Sequence, residues 1–219
     1  PYAVFLQAGG LWEGDTRTRI PTIGEVKLGI SIPLLYGAKC LQIFPYMFPN
    51  DWQDDKVAYA GIVDANGNKT EFFDYYKQAF RQVGAIGGYL LKAKINGVIK
   101  SGEYSNGLPK KEEIEKIQWS ECIYQGELPK CGNIEISPRK PLLSVESKTQ
   151  ALIGILSVDE LDAYFAVNNS STEENEITCS FDGAYNFEII RDGVAEEKQG
   201  DKITVRLSAG DNALIIRRE

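Results

Sequence analysis

The sequence predicts an α/β segment followed by an all-β segment. Two observations predict it. Before residue 93, strand, helix and strand patterns follow one another with short links, the order of a βαβ unit and a parallel sheet. After Ala93, helical periodicity fades apart from a charged piece at KKEEIEKIQW. Short strand-like runs then recur between turn residues at the spacing of a β-sandwich. The boundary falls near Lys94. It gives a first domain over 1–93 and a second over 94–219, the second with an irregular lead-in over 94–140.

Each element has its own signature. Residues 2–8 are nearly all apolar, as in a strand covered on both faces, and VFLQAGG ends that strand on Gln7 before glycines. A polar loop, GGLWEGDTRTR, follows. In PTIGEVKLGISIPLLYG, Thr22 and Glu25 form a T-x-x-E capping box, and Val26, Ile30, Pro33 and Leu34 lie close to helical spacing. Pro33 should bend or weaken this helix, and Gly37 should end it. AKCLQIFPY, Ala38 to Tyr46, is a second apolar strand. An aromatic and acidic loop comes next, then a tight turn at Asn66-Gly67. Thr70 is placed to cap a long helix with Phe73, Tyr76, Phe80, Val83, Gly87, Leu90 and Leu91 as its apolar stripe. The later runs LLSVES, ALIGILSV, LDAYFAVNN, EITCSF, FEIIRDG, KITVRL and NALIIRR read as strands.

Composition limits the chemistry. The 219 residues are 43% hydrophobic, a globular composition. A chain of this size buries roughly 70% of its unfolded surface. The net charge of −7 argues against a nucleic-acid partner and against adsorption on an anionic membrane. No apolar run approaches the roughly 20 residues of a bilayer span. There is no His, which removes Ser-His-Asp and Cys-His catalysis and makes a zinc site a poor fit. Any chemistry falls to carboxylates, Tyr, Lys or a bound cofactor, and no cofactor is expected. The four Cys form no CxxC pair. Cys122 and Cys131 flank a short loop and could pair, or all four could be reduced thiols. The composition fits a bacterial cytoplasm or an extracellular surface alike. The start at Pro1, almost inside the apolar stretch Tyr2–Leu6, reads as a cut close to a strand, so a longer parent polypeptide is expected.

The ordered set VFLQAGG, Trp12, RIPTIGEV, LLYGAKCLQIFPY and GIVDANGNKTEFFDYYKQ resembles the last part of a (β/α)8 barrel in carbohydrate-active enzymes. It looks like strand seven, helix seven, strand eight and helix eight of a retaining glycoside hydrolase of the β-galactosidase and endoglycanase superfamily. The segments AYFAVNNSS and ITVRLSAGDNALIIRR are similar to the small β-sandwich that follows such barrels. The resemblance covers about residues 1–93 and 150–219. It implies the last two βα units of a barrel, a trailing antiparallel β-sandwich, and a carbohydrate as ligand.

Barrel sites lie at the C-terminal ends of the strands. By this resemblance those ends are Gln7 to Glu13 and Tyr46 to Asp55. Trp12 and Trp52 are candidate sugar platforms, or rim residues packing loop on barrel. Tyr46 and Asp51 are candidate sugar contacts; Asp51, Asp54 and Asp55 either bind substrate or form a solvated acidic loop. Glu13 is the one candidate catalytic carboxylate. Trp119 reads as a packing residue. The resemblance puts the nucleophilic Glu at the end of strand seven, and Gln7-Ala8-Gly9 fits that pattern with an amide. A neutral amide cannot attack an anomeric carbon. Gln7 is therefore a binding candidate or a structural hydrogen-bonding group. Glycoside hydrolysis needs two carboxyls, and the resemblance puts the acid/base on strand four. The upstream part of the same polypeptide is thus an expected partner. Two other roles stay open: a non-catalytic carbohydrate-binding module using Tyr164, Phe165, Phe181, Tyr185 or Phe187, and a purely structural brace.

Overall fold

In the computed structural model the described residues are 2–13, 16–17, 20–47, 58–59, 61–102 and 137–218. The first part runs β1 (Ala3–Gln7), β2 (Gly10–Glu13), β3 (Thr16–Arg17), α1 (Ile23–Leu35), β4 (Cys40–Phe44), β5 (Ala58–Tyr59) and α2 (Glu71–Lys92). β1 and β4 pair in parallel, from Ala3 opposite Cys40 to Gln7 opposite Phe44. α1 is the crossover between them, as the strand, helix, strand pattern requires.

Local chemistry sets the ends of α1. The Thr22 N–H donates to Glu25 Oε2 at 2.8 Å, and the Glu25 N–H donates to Thr22 Oγ1 at 3.3 Å. Pro33 sits inside the last turn and removes one helical donor, and the chain turns through Gly37 two residues past the helix. α2 differs from its expected form in two respects. Thr70 occupies the N-cap position, but its hydroxyl donates to the carbonyls of Gly61 and Ile62 instead of capping the helix. The fully buried face is Phe72, Tyr76, Ala79, Gln82, Ile86 and Leu90, rotated from the apolar stripe. Leu91 of that stripe is 64% exposed. The buried face includes a glutamine, which hydrophobicity alone cannot anticipate.

The second part is antiparallel: β6 (Lys94–Ser101), β7 (Leu142–Ser147), β8 (Ala151–Val158), β9 (Leu161–Asn168), β10 (Asn175–Arg191), β11 (Val194–Leu207) and β12 (Asn212–Arg218). They form one seven-stranded sheet in the order β11-β10-β12-β9-β8-β6, with β7 pairing the first half of β10 on the edge that β12 takes further along. The runs EITCSF and FEIIRDG are both parts of β10, whose register shifts between Ser180 and Tyr185. Before that shift β10 pairs with β7, and after it with β12. The shift lets the sheet fold over a core that includes Ile153, Tyr164, Cys179, Phe181, Phe187, Val205 and Ile215. Burial pushes the Cys179 thiol up to about 12.

The opposite sheet face, with Leu152, Leu156, Phe165, Val167, Leu214 and Ile216, packs with α1 and α2 in a second core. Val4, Leu6, Leu41 and Ile43 of the parallel pair join that core. The helices therefore lie between two sheets. The other face of the parallel pair is exposed, with Phe5 at 71% and Phe44 at 53%. This corrects the expectation that residues 2–8 are covered on both faces: within the described residues one face is covered. Among the described residues neither strand pairs on its outer edge, and no closed barrel is present.

A buried polar clasp holds α1 and α2 to the antiparallel sheet. Lys27 Nζ lies 2.7 Å from Asp211 Oδ2, with both side chains almost fully buried. Ser208 Oγ donates to the same carboxylate oxygen at 2.9 Å. Ser31 Oγ donates to the Gly210 carbonyl at 2.8 Å, and Asn212 Nδ2 donates to Ser31 Oγ at 2.9 Å. On α2, Gln82 Nε2 donates to Asn212 Oδ1 at 3.1 Å, and the Gly193 N–H donates to Gln82 Oε1 at 2.8 Å. Backbones approach closely here. A Cβ on Gly24 would collide with the Ser171 carbonyl, and one on Gly210 with the Gly24 carbonyl.

Removing one partner of a buried ion pair leaves the other charged and desolvated, which costs about 3–5 kcal/mol. Lys27→Met should therefore lower the urea-unfolding free energy by about that amount. Lys27→Met with Asp211→Leu should recover part of the loss, because no lone charge is left buried.

Candidate functional site

The site begins where β1 and β4 end. The Ala8 N–H donates to the Phe44 carbonyl at 2.9 Å, carrying the parallel ladder one residue past β1. The chain then turns into β2, which pairs with β3, Trp12 opposite Arg17 and Glu13 opposite Thr16. β2 also pairs with β5, Gly10 opposite Tyr59 and Leu11 opposite Ala58. The segments following β1 and β4 are thus joined in a three-stranded antiparallel sheet at the C-terminal ends of the parallel pair.

Gln7 is on the exposed side of β1. Its Nε2 donates to the Gly9 carbonyl at 2.7 Å, and its backbone carbonyl accepts from the Tyr76 hydroxyl at 2.8 Å. Tyr46 is 66% exposed, and its carbonyl accepts from the Val63 N–H at 3.0 Å. Phe5 and Phe44 meet edge to face across the pair, with ring centroids 6.4 Å apart. A cleft of about 330 Å³ is bordered by β1 and the first half of α1, lined by Phe5, Gln7, Glu25, Gly29 and Tyr76 among others. Its carboxylate, Glu25, accepts from the Thr22 backbone N–H at 2.8 Å. The cleft offers an aromatic surface, an amide, a phenol and one carboxylate. That set can bind hydroxyl groups. Burial holds the Tyr76 phenol well above its ordinary value, so it stays a hydrogen-bond donor into strongly alkaline solution.

Gln7 and Tyr46 are brought to the same end of the parallel pair. Trp12 and Glu13 lie on the β2 backbone, and their side chains fall outside the described residues. Asp51, Trp52, Asp54 and Asp55 lie outside the described residues, as do Trp119, Cys122 and Cys131. Cys40 and Cys179 are free thiols, the first exposed and the second buried. Tyr76 and Glu25 join Gln7 in this cleft. In the sequence Tyr76 reads as an apolar stripe residue and Glu25 as a cap, and their spacing from Gln7 gives no sign of a shared cleft.

Among the described residues no group of three or more His, Cys, Asp or Glu side chains could hold a metal ion. No helix among them is long and apolar enough to cross a membrane. Comparison with protein-family models and with curated proteins gives no match to this chain.

The Tyr76 hydroxyl supports a fixed Gln7 carbonyl, so Tyr76→Phe should cost about 1 kcal/mol at neutral pH. The folded value lies above the unfolded value of 10.0, so the stabilisation is complete below pH 10 and falls as pH rises past it. Tyr76→Phe has no such proton to lose. Denaturant melts across pH 7 to 11 should show the gap between the two proteins narrowing above pH 10.

Proposed function

We propose that this chain is the C-terminal portion of a glycoside hydrolase acting on a poly- or oligosaccharide. It contributes sugar contacts at the mouth of a barrel and a bracing antiparallel β-domain. The observation that carries this reading is the one-sided burial of the parallel pair. Val4, Leu6, Leu41 and Ile43 pack on the helices, while Phe5 on the other face is 71% exposed. Parallel strands occur almost only in sheets covered on both faces. Upstream parallel strands of the same polypeptide would pair on the free edges and cover that face. An apolar groove of about 230 Å³ beside β4, lined by Leu41, Phe80, Val83, Gly87 and Leu91, fits a further helix packed on α2.

In such a barrel the strand ends face substrate. Gln7 and Tyr46 would hold sugar hydroxyls, Trp12 and Trp52 would stack on sugar rings, and Asp51 would accept from a hydroxyl. Glu13 is the candidate catalytic carboxylate of this segment. Its counterpart across the scissile bond would come from upstream, since both glycosidase geometries need two carboxyls.

The chain by itself should therefore give no turnover. It is to be incubated with a panel of aryl glycosides and polysaccharides, with release of aglycone or reducing ends followed over time. Hydrolysis above the protein-free blank, abolished by Glu13→Gln, would refute the division of the catalytic pair.

A further inference from the structure

A second cleft lies on the antiparallel sheet, built from residues that the β1–β4 end does not use. It measures about 420 Å³ and includes Glu160, Asp162, Tyr185, Gln199, Arg217 and Arg218 in its lining. Its position follows from the fold. The register shift in β10 ends at Tyr185, which faces Gly200 across the ladder to β11. Bulges of this kind re-aim side chains at the ends of sheets. The tight turn at Asp159 and Glu160, both with positive φ, brings Asp162 beside the end of β12.

The side chains are held before any ligand arrives. Arg217 lies 2.8 Å from Asp162 Oδ2, and its guanidinium sits 4.9 Å from the centre of the Tyr185 ring. The Tyr185 hydroxyl donates to Asp182 Oδ1 at 2.8 Å. The Tyr185 ring rests edge-on against Phe181 and Phe187. Arg218 is paired with Glu188, and it donates to the Tyr89 hydroxyl at 3.3 Å. Asp162 and Arg217 are nonetheless accessible, with side-chain exposures of 40% and 33%. Groups already fixed by one another lose little freedom on binding.

The lining selects a chemistry. Glu160 and Asp162 offset Arg217 and Arg218 in charge, so neither an anion nor a cation is favoured. Guanidinium donors, carboxylate acceptors and the Gln199 amide stand beside an aromatic side chain. Hydroxyl groups both donate and accept, and can bridge adjacent donors and acceptors. Another polar cleft on this sheet, of about 450 Å³ with Glu146, Lys148, Glu176 and Arg206 in its lining, has no aromatic residue.

We propose that the Tyr185–Arg217–Asp162 cleft is a second carbohydrate site, which takes an uncharged segment of a poly- or oligosaccharide. It is separate from the β1–β4 end and shares only its ligand class with the proposed function. The test is affinity electrophoresis of the whole chain in gels containing soluble xylan, galactomannan, arabinogalactan or mixed-linkage β-glucan. At least one polysaccharide should retard the chain. Asp162→Asn and Arg217→Gln should each weaken that retardation about tenfold or more, the scale of one lost charge-assisted contact. Lys148→Gln, in the polar cleft that has no aromatic residue, should leave it unchanged. Thermal melts confirm that the variants fold. Should either variant unfold, amide NMR shifts of the unaltered chain with the retarding polysaccharide's oligosaccharide replace it. Those shifts should cluster at Ala184–Asn186 and Arg217–Arg218. Absence of retardation, retardation untouched by both folded variants, or NMR shifts elsewhere would overturn the proposal. Retardation lost only with Gln7→Ala would also overturn it, while leaving the proposed function standing.

Discussion

The Lys27–Asp211 ion pair is the contact on which the rest of the structure depends. It joins α1 to the turn before β12 across most of the chain's length, at 2.7 Å and out of solvent. Such a pair is stable only when geometry is good and the remaining polar atoms are satisfied. Both conditions hold. Ser208 supplies a further bond to the carboxylate, and the Asn212 N–H donates to Asp211 Oδ1 at 3.0 Å. Apolar packing gives most of the burial between the helices and the sheet. The polar clasp fixes which register and orientation that packing takes, because a shifted helix would strand its buried charge and amides.

From this clasp the geometry at the β1–β4 end follows. α1 and α2 are fixed on one side by the antiparallel sheet, and on the other they carry the parallel pair. Tyr76, on the same helix as Gln82, reaches across to the carbonyl of Gln7. A glutamine buried against the antiparallel sheet and a tyrosine at the candidate site thus share one rigid helix. The braced domain can in this way position strand ends that it does not itself touch.

The parts of this arrangement that depend on neighbouring residues were legible in the sequence. Thr22 and Glu25 act within one helical turn, and their capping box forms as written. The β1, α1, β4 order follows from short-range pattern, and Gln7 does stand at the end of β1. Features set by distant partners were not legible. An apolar run such as Tyr2–Leu6 looks the same whether one face or both are covered, and here one is. The burial of Gln82 and Asp211 follows only from the fold, which brings Asn212 and Lys27 to them. β6 lies in the stretch 94–140 that reads as an irregular lead-in; a glycine inside the strand, Gly97, falls where the register with β8 shifts between Ile95 and Gly97. The cleft around Arg217 needs β9, β10 and β12 side by side, which no single stretch encodes.

Under the proposed function, the exposed face of β1 and β4 becomes an inner surface beneath upstream strands of a parent polypeptide. Cys40, an exposed free thiol at the start of β4, reports on that face directly. Its alkylation rate is to be measured by peptide mass mapping in this chain and in the parent polypeptide. The account predicts labelling at the rate of an open thiol here, and roughly a hundredfold slower labelling in the parent, because reaction there would require local opening. Equal rates in the two proteins would contradict it.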